Sequence, residues 1–332
     1  MQNAIHLNAD VLVIGAGMAG LSAAAALQKA GRKVLVLDKG KGIGGRMATR
    51  RVGRATFDHG AQFVTARDPR FTALLQEARS AGVAVEWCRG FTLEADGHTR
   101  WRGAPGMSSL ANFGSAGLEI VQEKQVAALS QEGDCWLIRI TDGEVYSARA
   151  VILTAPVPQA LALLESGGVL LESVLKTRLS AIQYERCLAV MAVLRGPSSL
   201  PAPGGFAPTQ GPIAWIADNQ LKGISDEPAV TIHATDAFSV AHWDQDRDKT
   251  ARVLLAAAEE WLGGGIQSFE IHGWRYSKPK QTDSLRCAAV GLSPPLVLAG
   301  DAFGGPRVEG AALSGWAAAE TVLNGADLFQ DL

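Results

Sequence analysis

Three glycines, Gly15, Gly17 and Gly20, with an aspartate at Asp38 and a Gly-Gly-Arg run ending on Arg46, have types and spacing that can do chemistry. In "VLVIGAGMAGLSAAAALQKAGRKVLVLDKG" the first glycine permits a tight turn and the second lets the backbone approach a pyrophosphate. The third allows the following helix to pack closely on its strand. Ala16, Met18 and Ala19 complete the turn, and the unpaired amides of residues 17 to 20 face the anion. Asp38, followed by Lys39, stands where a carboxylate meets the hydroxyls of an adenosine ribose. Gly45 makes a second backbone approach available, and Arg46 sets beside it a guanidinium suited to bidentate pairing with phosphate oxygens. The chemistry implied is the grip on a dinucleotide by its diphosphate and ribose.

Elements must position these residues. An apolar strand over 11–15, an alanine-rich helix stopping at Gly31 and a second strand over 33–37 make the first unit of a Rossmann-like fold. A similar strand, turn and helix recur at the other end in "LVLAGDAFGGPRVEGAALSGWAAAETVL", where Gly300 and Asp301 lie in the turn and the helix starts near Val308, with Ala311 in its first turn. Between them, "FDHGAQFVTARDPRF" makes a short glycine-containing turn through Asp58, Gly60, Ala61 and Gln62. A helical period over 71–82 follows, and "PGMSSLANF" begins another helix, with Ser108 or Ser109 as its cap. Three strand-like runs lie within 118–156, and "CLAVMAVL", "IAWIAD" and "AVTIHAT" read as strands further on. Residues from about 160 to 282 carry no glycine cradle and read as a separate mixed α/β domain, with "RGPSSLPAPGG" as a surface loop.

With 31 Lys+Arg against 33 Asp+Glu, a net charge of -2 gives no electrostatic reason to expect nucleic acid or a membrane surface as partner. No protein partner is implied. The first ten residues lack a signal-peptide pattern and no run of 18 apolar residues occurs, so the expected compartment is the cytoplasm. The four cysteines, Cys88, Cys135, Cys187 and Cys287, lie tens of residues apart and offer no CxxC metal or redox pair. They read as buried free thiols, and no metal is expected.

The glycine cradle, the acid ending the second strand and the following GGR together resemble the N-terminus of the FAD-dependent amine oxidase superfamily. The resemblance implies FAD rather than NAD as cofactor, with Arg46 at its pyrophosphate and the Ala61–Gln62 turn beneath the flavin ring. It implies that the Val126 backbone meets the adenine, that the chain leaves the FAD domain at Ala155, and that Gly300 and Asp301 hold the ribityl chain or nearby phosphate. The helix start at Val308 and Ala311 would then favour the negative charge that develops when the ring accepts a hydride. The expected fold class is α/β, a glutathione-reductase-type FAD-binding domain from 1–65, 104–160 and 283–332. A mixed α/β substrate domain from 66–103 and 161–282 accompanies it.

Four further segments, "FDHGAQFVTARD", "WIADNQLKG", "AVTIHAT" and "GWRYSKP", resemble in order those of the renalase family. That resemblance implies oxidation of the 2- and 6-dihydro isomers of NAD(P)H, with hydride passing to FAD and dioxygen then giving hydrogen peroxide. Carried over to this chain, it places Gln62, Asn219, His233, Trp274 and Tyr276 at the nicotinamide dinucleotide substrate. Hydride loss restores an aromatic pyridinium, so positioning suffices and no strong general base is required. No catalytic nucleophile, metal cluster or acid–base pair stands out beyond the cofactor motifs.

An amine oxidase proper is the first rival. Those enzymes often flank the amine with an aromatic pair, commonly tyrosines, and some tether FAD through a cysteine in an SGGCY-like segment. This chain has only Tyr146, Tyr184 and Tyr276, nothing like SGGCY, and Asp301 where those enzymes commonly carry Glu. Noncovalent FAD is expected. A disulfide reductase lacks support because there is no CxxxxC and no second GxGxxG. An FAD-binding scaffold without turnover would use the same cradle.

Overall fold

The computed structural model describes residues 8–91 and 96–327. The N-terminal stretch read as lacking a signal peptide lies in part, residues 1–7, outside the described residues. The chain forms two compact units, one from Met1–Gly45, Ala111–Gln183 and Pro279–Leu332, the other from Arg46–Leu110 and Tyr184–Lys278.

In the first unit the strands run in the order Ala288–Leu292, Pro295–Leu298, Val145–Leu153, Ala9–Ile14, Val34–Leu37 and Glu119–Val121. All neighbours pair in parallel except the first two, which are antiparallel. Val126–Glu132 and Cys135–Ile140 form an antiparallel hairpin that continues from the start of Val145–Leu153. The central strands read as apolar runs, interrupted by Asp10 near the start of Ala9–Ile14, because both faces are covered. On one face Val11, Val13, Val36, Ile152 and Val297 pack with Leu21 and Leu27 of helix Met18–Lys29 and Val322 of helix Val308–Asp327. Those helices touch so closely that a Cβ added at Gly315 would collide with the carbonyl of Ala19. The first strand lies between the second and Val145–Leu153, so the chain reverses its order there and opens a crevice at the strand ends.

In the second unit a five-stranded sheet runs Gly205–Phe206, Ile213–Asp218, Ala229–Ala234, Tyr184–Leu194 and Ile266–Pro279. Leu188, Val190, Ile216, Val230 and Ile232 pack on one face with Trp243, Leu254 and Leu255. Met191, Val193 and Ala229 face the other way, against Ala55 and Phe57. That packing draws the hairpin Thr49–Val52 and Ala55–Asp58 into this unit, although the sequence grouped residues 46–65 with the cofactor domain. Residues 161–183 go the opposite way, because helices Val157–Ser166 and Ser173–Ser180 pack together in the first unit. No helix among the described residues is long and apolar enough to cross a membrane.

The helix read over 71–82 is Pro69–Ser80, begun by Asp68, whose carboxylate accepts from the Arg70 amide. The expected serine cap at 108–109 is absent. Ser109 Oγ donates to the Gly106 carbonyl, and the amides of Met107 and Ser108 are taken instead by Asp58 Oδ1 (2.8 Å) and Thr49 Oγ1 (3.1 Å). Acceptors from a distant hairpin thus replace the local hydroxyl.

Candidate functional site

The cradle is built at the end of the first strand. Gly15 has φ +107°, and a Cβ there would strike Thr154 Oγ1, which donates to the Ile14 carbonyl at 2.8 Å. A Cβ at Gly20 would strike the Gly15 carbonyl, so only glycine lets the helix return this close to the turn. Gly17 differs: a Cβ there meets nothing within 4 Å, so its backbone faces open space. Asp38 Oδ2 accepts from the Ala16 amide at 2.6 Å and Oδ1 from Gly40 at 2.7 Å. Each carboxylate oxygen has a second lone pair to offer. Gly44 bridges to Gly17, and its amide donates to the Ala16 carbonyl at 2.8 Å, which brings the Gly44–Gly45 turn onto the cradle. Met18 and Ala19 are buried in the first helical turn, and Lys39 follows Asp38 in the bend after the second strand.

The C-terminal turn lies in the same unit. Ser314 Oγ accepts from the Gly300 amide at 2.8 Å, and Asp301 is buried at the start of a short helix, Asp301–Gly304. Val308 opens the long helix and Ala311 lies in its first turn. Val126 is buried at the start of its strand, and Ala155 lies in the turn after Val145–Leu153.

The second unit holds a separate cluster. His59 is buried with its ring stacked on Trp274, centroids 5.2 Å apart at 25°, and His272 sets its edge against both rings at 5.0 and 4.4 Å. The His59 carbonyl accepts from Trp274 Nε1 at 2.8 Å and pairs with His233 Nε2 at 3.0 Å. A carbonyl only accepts, so His233 carries its proton on Nε2. Burial pushes His59 down to about 4, helped by His272, Arg50 and His233. It brings His233 to about 4 as well, with Lys222 adding to the effect. His272 is also lowered, by burial first and then by Arg50 and Arg247. These imidazoles are neutral near pH 7.

Beneath this turn sits a wholly buried ion pair. Lys222 Nζ lies 2.6 Å from Asp58 Oδ2, both side chains without solvent exposure, and Thr49 Oγ1 and the Met107 amide donate to Asp58 Oδ1. Burial depresses the Lys222 ammonium against the pull of Asp58. The Asp58 carbonyl accepts from Gln62 Nε2 (2.6 Å) and Thr231 Oγ1 (3.1 Å), so the pair and its neighbours fix the whole turn from Asp58 to Gln62. Ala61 is held by its amide on the Arg46 carbonyl at 2.8 Å.

Two of the expected residues also make contacts within the second unit. Asn219, read as a substrate contact, is completely buried, donating to the Ala229 carbonyl and Thr231 Oγ1 and lying 3.4 Å from the Asp58 amide. It braces the turn from behind. Arg46, expected at a pyrophosphate, directs Nη1 to the carbonyls of Tyr276 (3.3 Å) and Ser277 (3.2 Å). Tyr276 in turn meets Tyr184 edge to face at 5.5 Å and 82°.

A model of NAD(P)-binding Rossmann-like domains matches residues 13–78, and one of flavin-containing amine oxidoreductases matches residues 83–323. The chain belongs to the flavin-containing amine oxidoreductase family. It is similar to AofH of Mycobacterium tuberculosis, described as a flavin-containing monoamine oxidase, at 36% identity over 97 residues, 29% of this chain and 20% of that protein. Putrescine oxidase of Kocuria rosea is 41% identical over 68 residues, 20% of this chain and 14% of that protein. The matched stretch therefore spans a fifth or less of these relatives' length. A solved putrescine oxidase, a redesigned triple mutant, superposes with TM-score 0.73 at 15% identity over 95% of this chain and 99% of that one, a likeness of fold.

FAD is the cofactor of this family, and the first unit fits its adenosine diphosphate half. The Gly17 backbone opens onto free space, a helix of 12 residues starts there, and Asp38 stands at the neighbouring strand end. The family pattern in the sequence singles out these residues and gives no role to His59, His272 or Lys222, while Tyr184 enters only as one of three tyrosines. His59 and Lys222 stand inside the quoted segments "FDHGAQFVTARD" and "WIADNQLKG", yet no role for them shows until the sheet forms.

Proposed function

We propose that this amine oxidoreductase family member is a flavin-dependent oxidase of the 2- and 6-dihydro isomers of NAD(P)H, forming NAD(P)+. Bound noncovalently, FAD supplies the hydride acceptor, which dioxygen reoxidises with release of hydrogen peroxide. Gly15, Gly17, Gly20, Asp38, Gly45 and Arg46 hold its adenosine diphosphate half in this reading, and Gly300, Asp301 and the Val308 helix start serve the flavin half.

The observation that carries the reading is the chemistry of the second unit's cluster. Trp274, His59, His233 and His272 present flat, neutral rings; the carboxylate beneath them, Asp58, is paired with Lys222, and Glu270, on the strand of His272 and Trp274, is paired with Arg50. A protonated amine finds both of these carboxylates already paired, with Arg247 adding positive charge near His272. A neutral dihydropyridine finds an indole face to lie against. Its oxidation needs orientation rather than a base, and the His59 carbonyl, with two donors on it, fixes Trp274 and His233 in place.

The second reading, oxidation of a small amine, draws on the family and on the Tyr184–Tyr276 pair. Those rings are in contact at 5.5 Å and nearly perpendicular, whereas a group held between two faces needs them about 7 Å apart, two van der Waals contacts. The pair is closed on itself. Anaerobic mixing of the yellow protein with each substrate class tests the choice: bleaching by dihydronicotinamide isomers is expected, and bleaching by amines alone would overturn it.

A further inference from the structure

Trp243 is buried on the helix-bearing face of the second unit's sheet, and three guanidiniums gather on its indole. Arg247 lies 4.9 Å from the ring centroid, Arg186 5.0 Å and Arg275 5.7 Å. They come from three elements, helix Arg247–Ala257 and strands Tyr184–Leu194 and Ile266–Pro279. One indole has two faces, and a third cation adds repulsion that the ring does not offset. Among the described residues none of the three has a carboxylate partner, and Arg247 Nη1 is shielded from solvent without any acceptor. Asp246 accepts from the Lys249 amide and Asp236 from the Arg186 amide. Gly273 keeps the space beside them clear, since a Cβ there would lie 3.1 Å from Trp243 and 3.3 Å from Arg247 Nη2. What this cluster lacks is an oxygen-rich anion.

We propose that Arg186, Arg247 and Arg275 form a diphosphate subsite for the phosphate-bearing half of the dinucleotide substrate. The inference rests on the dihydronicotinamide reading for its choice of ligand. Planar guanidiniums pair bidentately with phosphate oxygens, and three of them match the charge and oxygen count of a diphosphate. Strand Ile266–Pro279 links this subsite to the ring cluster, because side chains alternate along it: His272 and Trp274 on one face, Gly273 and Arg275 on the other. It is the last strand of its sheet, so a ligand can pass round its edge from one face to the other.

The test uses the FAD-saturated protein, titrated with ADP-ribose in a calorimeter at low and high salt. Wild type is expected to bind, more weakly at high salt, and Arg247→Met with Arg275→Met to weaken binding about tenfold or more. Arg247→Lys, which keeps the charge, should recover part of the affinity, and Arg51→Met, an exposed arginine outside the cluster, should leave it unchanged. In turnover, the preference in kcat/KM for the dinucleotide isomer over a phosphate-free N-alkyl dihydronicotinamide isomer should shrink by a similar factor in the double variant. Equal ADP-ribose affinity in wild type and double variant, or an undiminished preference, overturns the subsite. If no dihydronicotinamide bleaches the flavin, the functional reading fails, and arginine-dependent ADP-ribose binding still decides the subsite by itself.

Discussion

At the residue scale the account turns on Trp274, His59 and Lys222. Trp274→Ala removes both a stacking face and one of two donors to the His59 carbonyl, and should raise KM for a dihydronicotinamide isomer about tenfold. Trp274→Phe, which keeps a ring and loses the N–H, should fall between. Steady-state kinetics over a substrate range separates them. Lys222→Met leaves Asp58 charged and unpaired in the core, and should cost about 3–5 kcal/mol in urea unfolding. Adding Asp58→Asn should restore much of that loss, because the stranded charge is gone. The histidines set a pH window. His59 and His233 are held at about 4, below the usual 6.5 of an unfolded chain, so below 6.5 the unfolded state binds the extra protons. The contribution of these histidines to stability should be level above pH 6.5 and fall by a few kcal/mol as pH drops from 6.5 toward 4, as read from unfolding midpoints across that range. His59 and Lys222 escaped sequence reading for a physical reason: their partners lie 215 and 164 residues away along the chain. Asn219 was visible, but an asparagine in a turn gives no sign of which side faces the core, and here it is buried against the Asp58 turn.

At the scale of elements the strand–turn–helix cradle was legible because each glycine answers a local constraint. Gly15 needs positive φ and Gly20 close approach, and both demands are written in the spacing. Gly17 is the informative exception. Gly17→Ala disturbs no neighbour within 4 Å, so the variant should fold with a near-wild-type apoprotein Tm while losing FAD. Flavin absorbance per protein after gel filtration, beside that Tm, checks it; full flavin occupancy would contradict the cradle. Gly315→Ala should do the reverse, wedging helices Met18–Lys29 and Val308–Asp327 apart at Ala19 and lowering the Tm. The hairpin at 49–58, placed with the cofactor domain in the sequence reading, packs on the second unit's sheet, because its apolar face, Ala55 and Phe57, does not say which sheet will cover it.

At the scale of the whole molecule, the chain devotes one unit to a dinucleotide cradle and another to a ring cluster with a buried ion pair beneath it. The strand and glycine-turn pattern pointed to an α/β fold and the motifs to its cofactor; the substrate depends on side chains that meet only after folding. No SGGCY-like segment is present and Cys287 is half-buried beside Thr321, so noncovalent FAD is expected. Acid precipitation should release the entire yellow chromophore into the supernatant. The most direct test of the central claim is rapid anaerobic mixing with 2- and 6-dihydro isomers of NADH and NADPH, ordinary NADH, and a panel of small amines, followed by flavin absorbance. The account predicts fast bleaching by the isomers and none by the amines; fast bleaching by an amine with silence from the isomers would contradict it.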